Sequence, residues 1–301
     1  MKGFAGRIAV VTGGGSGFGL EVARLAAREG MRVVLADVQH DALQAAADEL
    51  LRGGAQVLTQ QLDVSRADEV EALAVATQQH FGAPHFVFNN AGVGSGGLVW
   101  ESSLQDWTWV LGVNLMGVVH GVRSFTPMML QAARDNPRYE GHIVNTASMA
   151  GLVNPPNMGV YNVSKHAVVA LTETLYQDLR LVTEQVTASV LCPYFVPTGI
   201  TRSERNRPAD LPAAALTKSQ LIGRAMGDKA VGSGKVSAAM VAQYVFDALR
   251  EQRFYIYSHP QALQAVQQRL EDVVQARNPS DPFAQRPEVG AQLRAALRAG
   301  D

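Results

Sequence analysis

The stretch "RIAVVTGGGSGFGLEVA", residues 7–23, is the most informative part of the chain. Ile8 to Val11 is a short unbroken apolar run, the mark of a strand buried on both faces. Glycines follow at 13, 14, 15, 17 and 19, and the pattern then changes to helical spacing over 18–30, closed by Gly30. Glycines between a strand and a helix let the backbone approach a pyrophosphate, and the helix N-terminus adds free N–H groups and a positive dipole end. The spacing is Gly13-x-x-x-Gly17-x-Gly19, not the commonest dinucleotide fingerprint. No Walker lysine follows, so a nucleoside triphosphate is not implied. Taken alone, the loop serves equally as a tight strand–helix turn.

The second strand, 32–37, sharpens the reading. Asp37 ends it, 18 residues after Gly19, where an acidic residue meets the adenosine ribose hydroxyls. A carboxylate there repels the 2′-phosphate of NADP, and neither Ser16 nor Val38 supplies a cation to welcome it. Asp37 as a mere cap of the next helix is the alternative.

Beyond this unit the alternation continues. Helices are expected over 42–54, 67–82, 103–113, 115–134 and 159–183, and strands over 56–64, 85–92, 141–148 and 187–193. Strands separated by helices of this length predict an α/β fold: a single doubly wound, Rossmann-type parallel sheet with helices on both faces. The domain is expected to run to about residue 258. Residues 259–301 read as a helical extension, with a Pro-rich linker at 278–290 leading into a helix over 288–298.

Bulk properties narrow the class. A hydrophobic content of 47% over 301 residues supports a sizeable core, and the net charge of −1 points to neither nucleic acid nor an anionic membrane. The longest charge-free apolar run, 107–122, contains Asn114 and His120 and is too short for a membrane span. The apolar stretch before the first glycines is too short for a signal peptide. Cys192 is the only cysteine, which fits a reducing compartment, and a soluble cytoplasmic protein is expected. The histidines show no metal-ligand spacing, so no metal is expected.

A second motif carries chemistry. In "VYNVSKHAVVAL" (160–171), Tyr161 and Lys165 are one helical turn apart and project from one face. Lysine is scarce here, 5 against 21 arginines. A free Tyr titrates near ~10 and is a poor base at neutral pH, but a neighbouring cation favours the phenolate. Lys165 is therefore expected to bring Tyr161 toward the operating pH. Ser148, at a strand end, can hydrogen-bond a substrate oxygen. Ser148 could equally cap a turn, Tyr161 could be an ordinary half-buried aromatic, and Asn114 could satisfy backbone groups in a buried helix break.

With these motifs in chain order, the sequence resembles the short-chain dehydrogenase/reductases over roughly residues 5–258. "TGGGSGFG" (12–19), "LDV" (62–64), "NNAG" (89–92), Asn114 in "GVNLMG", and Ser148 with Tyr161-x-x-x-Lys165 carry the resemblance. It implies hydride transfer between a secondary alcohol, or its ketone, and NAD. Asn114, Ser148, Tyr161 and Lys165 would be catalytic, Tyr161 as general acid/base and Asn114 holding a proton-relaying water. NAD would lie against Gly13, Gly15, Ser16, Gly17, Phe18 and Gly19, then Asp37 and Val38, with Asp63 and Val64 at the adenine. Asn90, Ala91 and Gly92 would follow, then Tyr161, Lys165 (also bonding the nicotinamide ribose), Pro193, Val196 and Thr198, the last at the carboxamide. The alternatives are an NADP-linked carbonyl or 3-oxoacyl reductase and a catalytically silent NAD-binding regulator. The intact Ser148–Tyr161–Lys165 set argues against the last.

One departure stands out: the family's usual glycine after Pro193 is Tyr194. Residues 194–236 are long, polar and weakly periodic, and are expected to form a mobile lid beside the nicotinamide. Tyr194 and Phe195, facing Met149 and Val153, would line a pocket for a hydrophobic or aromatic small-molecule alcohol. The resemblance also implies a homo-oligomer, a tetramer. Val163, Ala167, Ala170, Leu171 and Leu175 on the 159–183 helix are more than one narrow apolar stripe explains.

Overall fold

The apolar run after Arg7 forms β1 (Ile8–Thr12), buried along its whole length. The computed structural model describes residue 1 and residues 3–299. β2 (Arg32–Asp37), β3 (Val57–Gln61), β4 (Phe86–Asn89), β5 (Gly141–Thr146), β6 (Val186–Cys192) and β7 (Tyr255–Tyr257) join β1 in one seven-stranded sheet of order β3-β2-β1-β4-β5-β6-β7. Every pairing is parallel, with Val10 registered against Val34 on one side and Val87 on the other. The doubly wound sheet expected from the strand–helix alternation is therefore the observed fold.

Both faces are covered. Ala9, Val11, Val33, Leu35, Phe86 and Phe88 pack beneath α1 (Gly17–Arg28), α2 (His40–Arg52) and α8 (Ala238–Glu251). Their alternating neighbours Ile8, Val10, Val34, Ala36 and Val87 pack against α3 (Ala67–His80), α4 (Leu104–Leu111), α5 (Gly117–Asp135) and α6 (Gly159–Val182). Strands buried on both faces lose the apolar–polar alternation, which is why they read as continuous runs.

The strand order reverses between β1 and β4, opening a crevice at their carboxyl ends. The glycine loop and the loop after Asn89 both leave the sheet there. The two helices expected around Asn114 form one rod, α4 and α5, joined by a π-helical turn over Gly112–Met116. Such widened turns occur often at functional positions.

The segment 194–236 is more regular than its composition suggests. It holds a 3₁₀ stretch, Gly199–Asn206, and α7 (Lys218–Gly232), which opens with a capping box between Thr217 and Gln220. Helical periodicity is weak because α7 buries little of itself, Ser219 being its one fully buried residue. After β7 come α9 (Leu263–Val274) and α10 (Pro287–Arg298). Among the described residues no helix is long and apolar enough to cross a membrane.

Gly121 shows how tightly α5 lies on the sheet: a Cβ there would stand 2.1 Å from Asn89 Oδ1. Gly121→Ala improves helix propensity yet is expected to destabilise the fold by about 1–3 kcal/mol through overpacking. A urea denaturation midpoint equal to wild type would contradict this contact.

Candidate active site

The glycine loop takes positive φ at Gly13 (+64°) and Gly17 (+54°), values that side chains resist. Gly19 is needed for space, since a Cβ would lie 2.0 Å from the Gly13 carbonyl oxygen. The Thr12 hydroxyl accepts the N–H groups of Asn90 (2.9 Å) and Ala91 (3.2 Å), tying the end of β1 to the loop after β4. Asp37 is braced from two sides: the Gly15 N–H donates to one carboxylate oxygen and the Gln39 N–H to the other, each at 2.9 Å. It caps no helix, because α2 starts at His40 behind Gln39. Val38 beside it is exposed. Asp63 Oδ1 accepts the Ser65 N–H at 2.9 Å, and Val64 is buried, its carbonyl bonded to His120 Nδ1 at 2.9 Å. A cradle without side chains beside a preset carboxylate fits a dinucleotide.

The four residues expected to be catalytic arrive from three elements. Ser148, just past β5, caps the 3₁₀ turn Met149–Gly151, its Oγ accepting the Ala150 N–H at 3.1 Å. Tyr161 and Lys165 stand in the first turns of α6. Ser148 is close enough to the Tyr161 phenol to pull its pKa down. Lys165 Nζ lies 5.6 Å from the Tyr161 ring centroid and donates to the Thr146 carbonyl at 3.0 Å. Asn114 is fully buried: its Oδ1 accepts the Val93 N–H at 2.8 Å, and its Nδ2 donates to the Val93 carbonyl (3.0 Å) and Ser164 Oγ (3.1 Å). Gly92 closes the cluster, because a Cβ there would stand 3.4 Å from Asn114 Oδ1 and 3.6 Å from Lys165 Nζ.

The electrostatics correct one expectation. Burial pushes the Tyr161 phenol above its ordinary value, and the hydrogen bond with Ser148 is what pulls it down. The Lys165 ammonium donates to the Thr146 carbonyl rather than to the phenol. Burial brings Lys165 itself down to about 8. Cys192, behind it in β6, is fully buried and pushed up to about 12, as befits an inert small hydrophobe.

A family model described as short chain dehydrogenase matches residues 7–209. The chain belongs to the short-chain dehydrogenases. Among their members it is 33% identical over 278 residues, 91% of this chain and 95% of the relative, to a CLA biosynthesis dehydrogenase/reductase of Lactiplantibacillus plantarum. It is 36% identical over 269 residues, 89% of this chain and 88% of the relative, to a 1-deoxy-11-beta-hydroxypentalenate dehydrogenase of Streptomyces exfoliatus. A solved short chain dehydrogenase/reductase from Burkholderia phymatum, in complex with NAD, superposes with a TM-score of 0.91 at 52% identity, covering 94% of this chain and 100% of the other. The chain is thus an oxidoreductase of a family that uses nicotinamide cofactors.

Other residues of this short-chain dehydrogenase fall less neatly. Met149, expected to wall the pocket, is 2% exposed and packs among Val118, Val168, Val169 and Cys192. The 3₁₀ turn after Ser148 directs it into the core rather than outward. Val196 is likewise a core side chain, so only its backbone can face a ligand, and Pro193 is buried too. The Pro193 carbonyl accepts the Met149 N–H at 2.9 Å. Val153 is half-buried and Phe195 partly exposed. Tyr194 stands 46% exposed, its ring centroid 4.3 Å from that of Phe195 and 5.8 Å from that of His259. The bulk that replaces the family's glycine thus rests on the loop after β7. Thr198 lies against the glycine loop, its Cβ 3.6 Å from where a Gly17 Cβ would be.

The segment after Thr198 is pinned to α4 and to the loop after β4. Arg207 bonds Asp106 at 2.5 Å and Glu204 at 2.9 Å and lies 4.3 Å over the Trp109 ring. Ser219 Oγ donates to Glu101 at 2.6 Å and accepts the Leu98 N–H at 2.9 Å. Neither Arg207 nor Ser219 stands out in the sequence, because their partners Asp106 and Glu101 lie 101 and 118 residues away.

Lys165 makes stability depend on pH. Its folded pKa, about 8, lies below the ordinary 10.5, so between these values the unfolded chain binds the proton and the folded chain does not. Stability therefore rises across that window, and below about pH 8 burial of the ammonium weighs fully against the fold. Relative to Lys165→Met, wild type should gain roughly 2–3 kcal/mol between about pH 7 and 10 in denaturation titrations. A difference independent of pH would contradict the buried charge.

Proposed function

We propose that the chain interconverts a secondary alcohol and its ketone with NAD, Tyr161 moving the proton at the alcohol oxygen. The observation that carries this reading is the placement of Tyr161 and Lys165 in the first turns of α6, Lys165 Nζ 5.6 Å from the Tyr161 ring, with Ser148 acting on the phenol from the end of β5. The nicotinamide, when bound, supplies or accepts the hydride. Ser148, whose hydroxyl makes only a long 3.4 Å bond to the Pro193 carbonyl, would turn that proton to the substrate oxygen as charge develops there. Tyr161, in its phenolate form, takes the alcohol proton during oxidation and, as the phenol, returns it during reduction. Lys165 keeps most of its charge at neutral pH, and an ammonium at this range favours the phenolate as charge develops. The side chain of Asn114 is committed to Val93 and Ser164, so a relayed water would be held by its backbone.

NAD is preferred over NADP in this reading because Asp37 presents two braced carboxylate oxygens to the ribose. Arg24 of the adjoining helix α1 is held by Glu21 and Glu49 at 2.6 Å each and is not free to receive a 2′-phosphate. The relative solved with NAD agrees with this choice. A hydrophobic alcohol suits the rings of Tyr194 and Phe195 near the carboxyl end of β6. A homo-oligomer in the cytoplasm belongs to the same reading. It is supported by Val163 and Ala170, which α6 leaves exposed, whereas Leu175 is buried.

Tyr161→Phe should keep NAD affinity within about twofold while lowering kcat by about a thousandfold or more, since only the transferable proton is lost. Wild-type alcohol oxidation should rise toward alkaline pH, because the base form is needed and burial holds Tyr161 high. Asp37→Ala should narrow the NAD-over-NADP ratio of kcat/KM by at least about tenfold. Near-normal turnover by the Tyr161→Phe variant over a panel of aliphatic, aryl and polycyclic alcohols sinks the proton-transfer reading. Equal wild-type use of NADP sinks the cofactor reading.

A further inference from the structure

Asn157 stands four residues ahead of Tyr161, in the loop that enters α6, with left-handed backbone at φ +63°. That conformation is unfavourable for a residue with a side chain, though Asn tolerates it better than most, and it persists where neighbours impose it. Two neighbours do so. Its Nδ2 donates to the Ser219 carbonyl on α7 at 3.0 Å, and its own carbonyl accepts the Gly97 N–H at 2.9 Å. Met158 extends the contact through a parallel bridge to Gly97, and its carbonyl accepts the Asn162 N–H at 2.9 Å in the first turn of α6.

Three backbones therefore cross at one point, and glycine makes the crossing possible. A Cβ on Gly223 of α7 would stand 3.0 Å from Asn157 Nδ2, 3.2 Å from the Gly97 nitrogen and 3.3 Å from Gly96 Cα. Asn157 is 7% exposed, and its Oδ1 is buried with no hydrogen-bond partner among the described residues. A half-satisfied buried amide is a poor device for local stability. Its bond to the Ser219 carbonyl on α7 is the one side-chain hydrogen bond it makes among the described residues.

We infer that Asn157 is a positioning residue that couples the seating of α7 to the placement of Tyr161. With α7 docked, the amide holds the kink from which α6 starts. With α7 away, the amide loses its acceptor, and only the Gly97 bond opposes relaxation of the left-handed backbone. Tyr161 lies in the first turn of α6 and moves with that kink. The proton-transfer group is thus aligned when the segment 194–236 has closed, which keeps the aligned site away from bulk water. The assignment rests on the role proposed for Tyr161.

The test uses the full chain and two variants. Asn157→Gly removes the amide while keeping the left-handed backbone free of strain. It should lower kcat by about 10- to 100-fold, as expected for a misplaced group, with NAD affinity within about twofold. The primary deuterium effect on alcohol oxidation should rise, because hydride transfer becomes rate-limiting. Gly223→Ala leaves Asn157 in place and favours the α7 helix but wedges the crossing. It should speed amide exchange over 157–162 by about tenfold or more, a readout that needs no turnover. Wild-type kcat and isotope effect in Asn157→Gly overturn the inference. So does unchanged exchange over 157–162 in Gly223→Ala, which decides the matter even if Asn157→Gly does not fold. A wild-type enzyme inactive on every alcohol tested counts against the proposed reaction, and the exchange measurement still judges the coupling.

Discussion

The seam between β1 and β4 is the constraint on which the site depends. Strand order reverses there, so the connections that follow β1 and β4 leave the sheet in opposite directions and open a crevice. An open crevice between buried strands exposes backbone donors that must be paired. Thr12 pairs them, taking the N–H groups of Asn90 and Ala91, while Asn90 Nδ2 returns a bond to the Thr12 carbonyl at 3.1 Å. With that seam held, the glycine loop, Asp37 and Gly92 fall on one rim. Gly92 in turn lets Asn114 and Lys165 approach from the opposite helix layer.

Burying Lys165 is the energetic counterpart. An ammonium 3% exposed, with one carbonyl partner, opposes folding at neutral pH, and a well-packed apolar residue would be less costly there. The fold carries this charge beside Tyr161 and Cys192, both of which burial holds in their neutral forms. A charge kept where neutral groups are favoured acts strongly on any charge that develops nearby, because little water screens it. One burial therefore sets both the stability cost of Lys165 and the neutral forms of its neighbours.

The segment after β6 adds a layer of polar closure. Asp106 binds Arg207 and accepts a bond from Gln220 Nε2 at 3.3 Å, while Ser219 serves Leu98, Glu101 and Asn157. Hydrogen bonds and one ion pair, rather than a large apolar face, hold this segment down. The same property hides it from hydropathy patterns: α7 has too few buried positions to show a helical stripe.

The parallel sheet, the dinucleotide-type turn and the spacing of Tyr161 and Lys165 were all legible in the order of residues. These rest on local rules: buried strands are continuous apolar runs, a close backbone approach demands glycine, and residues four apart share a helix face. Asp37 was legible because its place at the end of β2 follows from the strand boundary. Where side chains point, and what surrounds them, was settled by folding alone. Met149 turned into the core because a 3₁₀ turn follows Ser148. Tyr161 is raised rather than lowered because burial outweighs the opposing pull of Ser148. Asn157, Arg207 and Ser219 gain their partners across 62, 101 and 118 residues of chain. Burial and long-range hydrogen bonds are sums over neighbours that only the folded chain brings together.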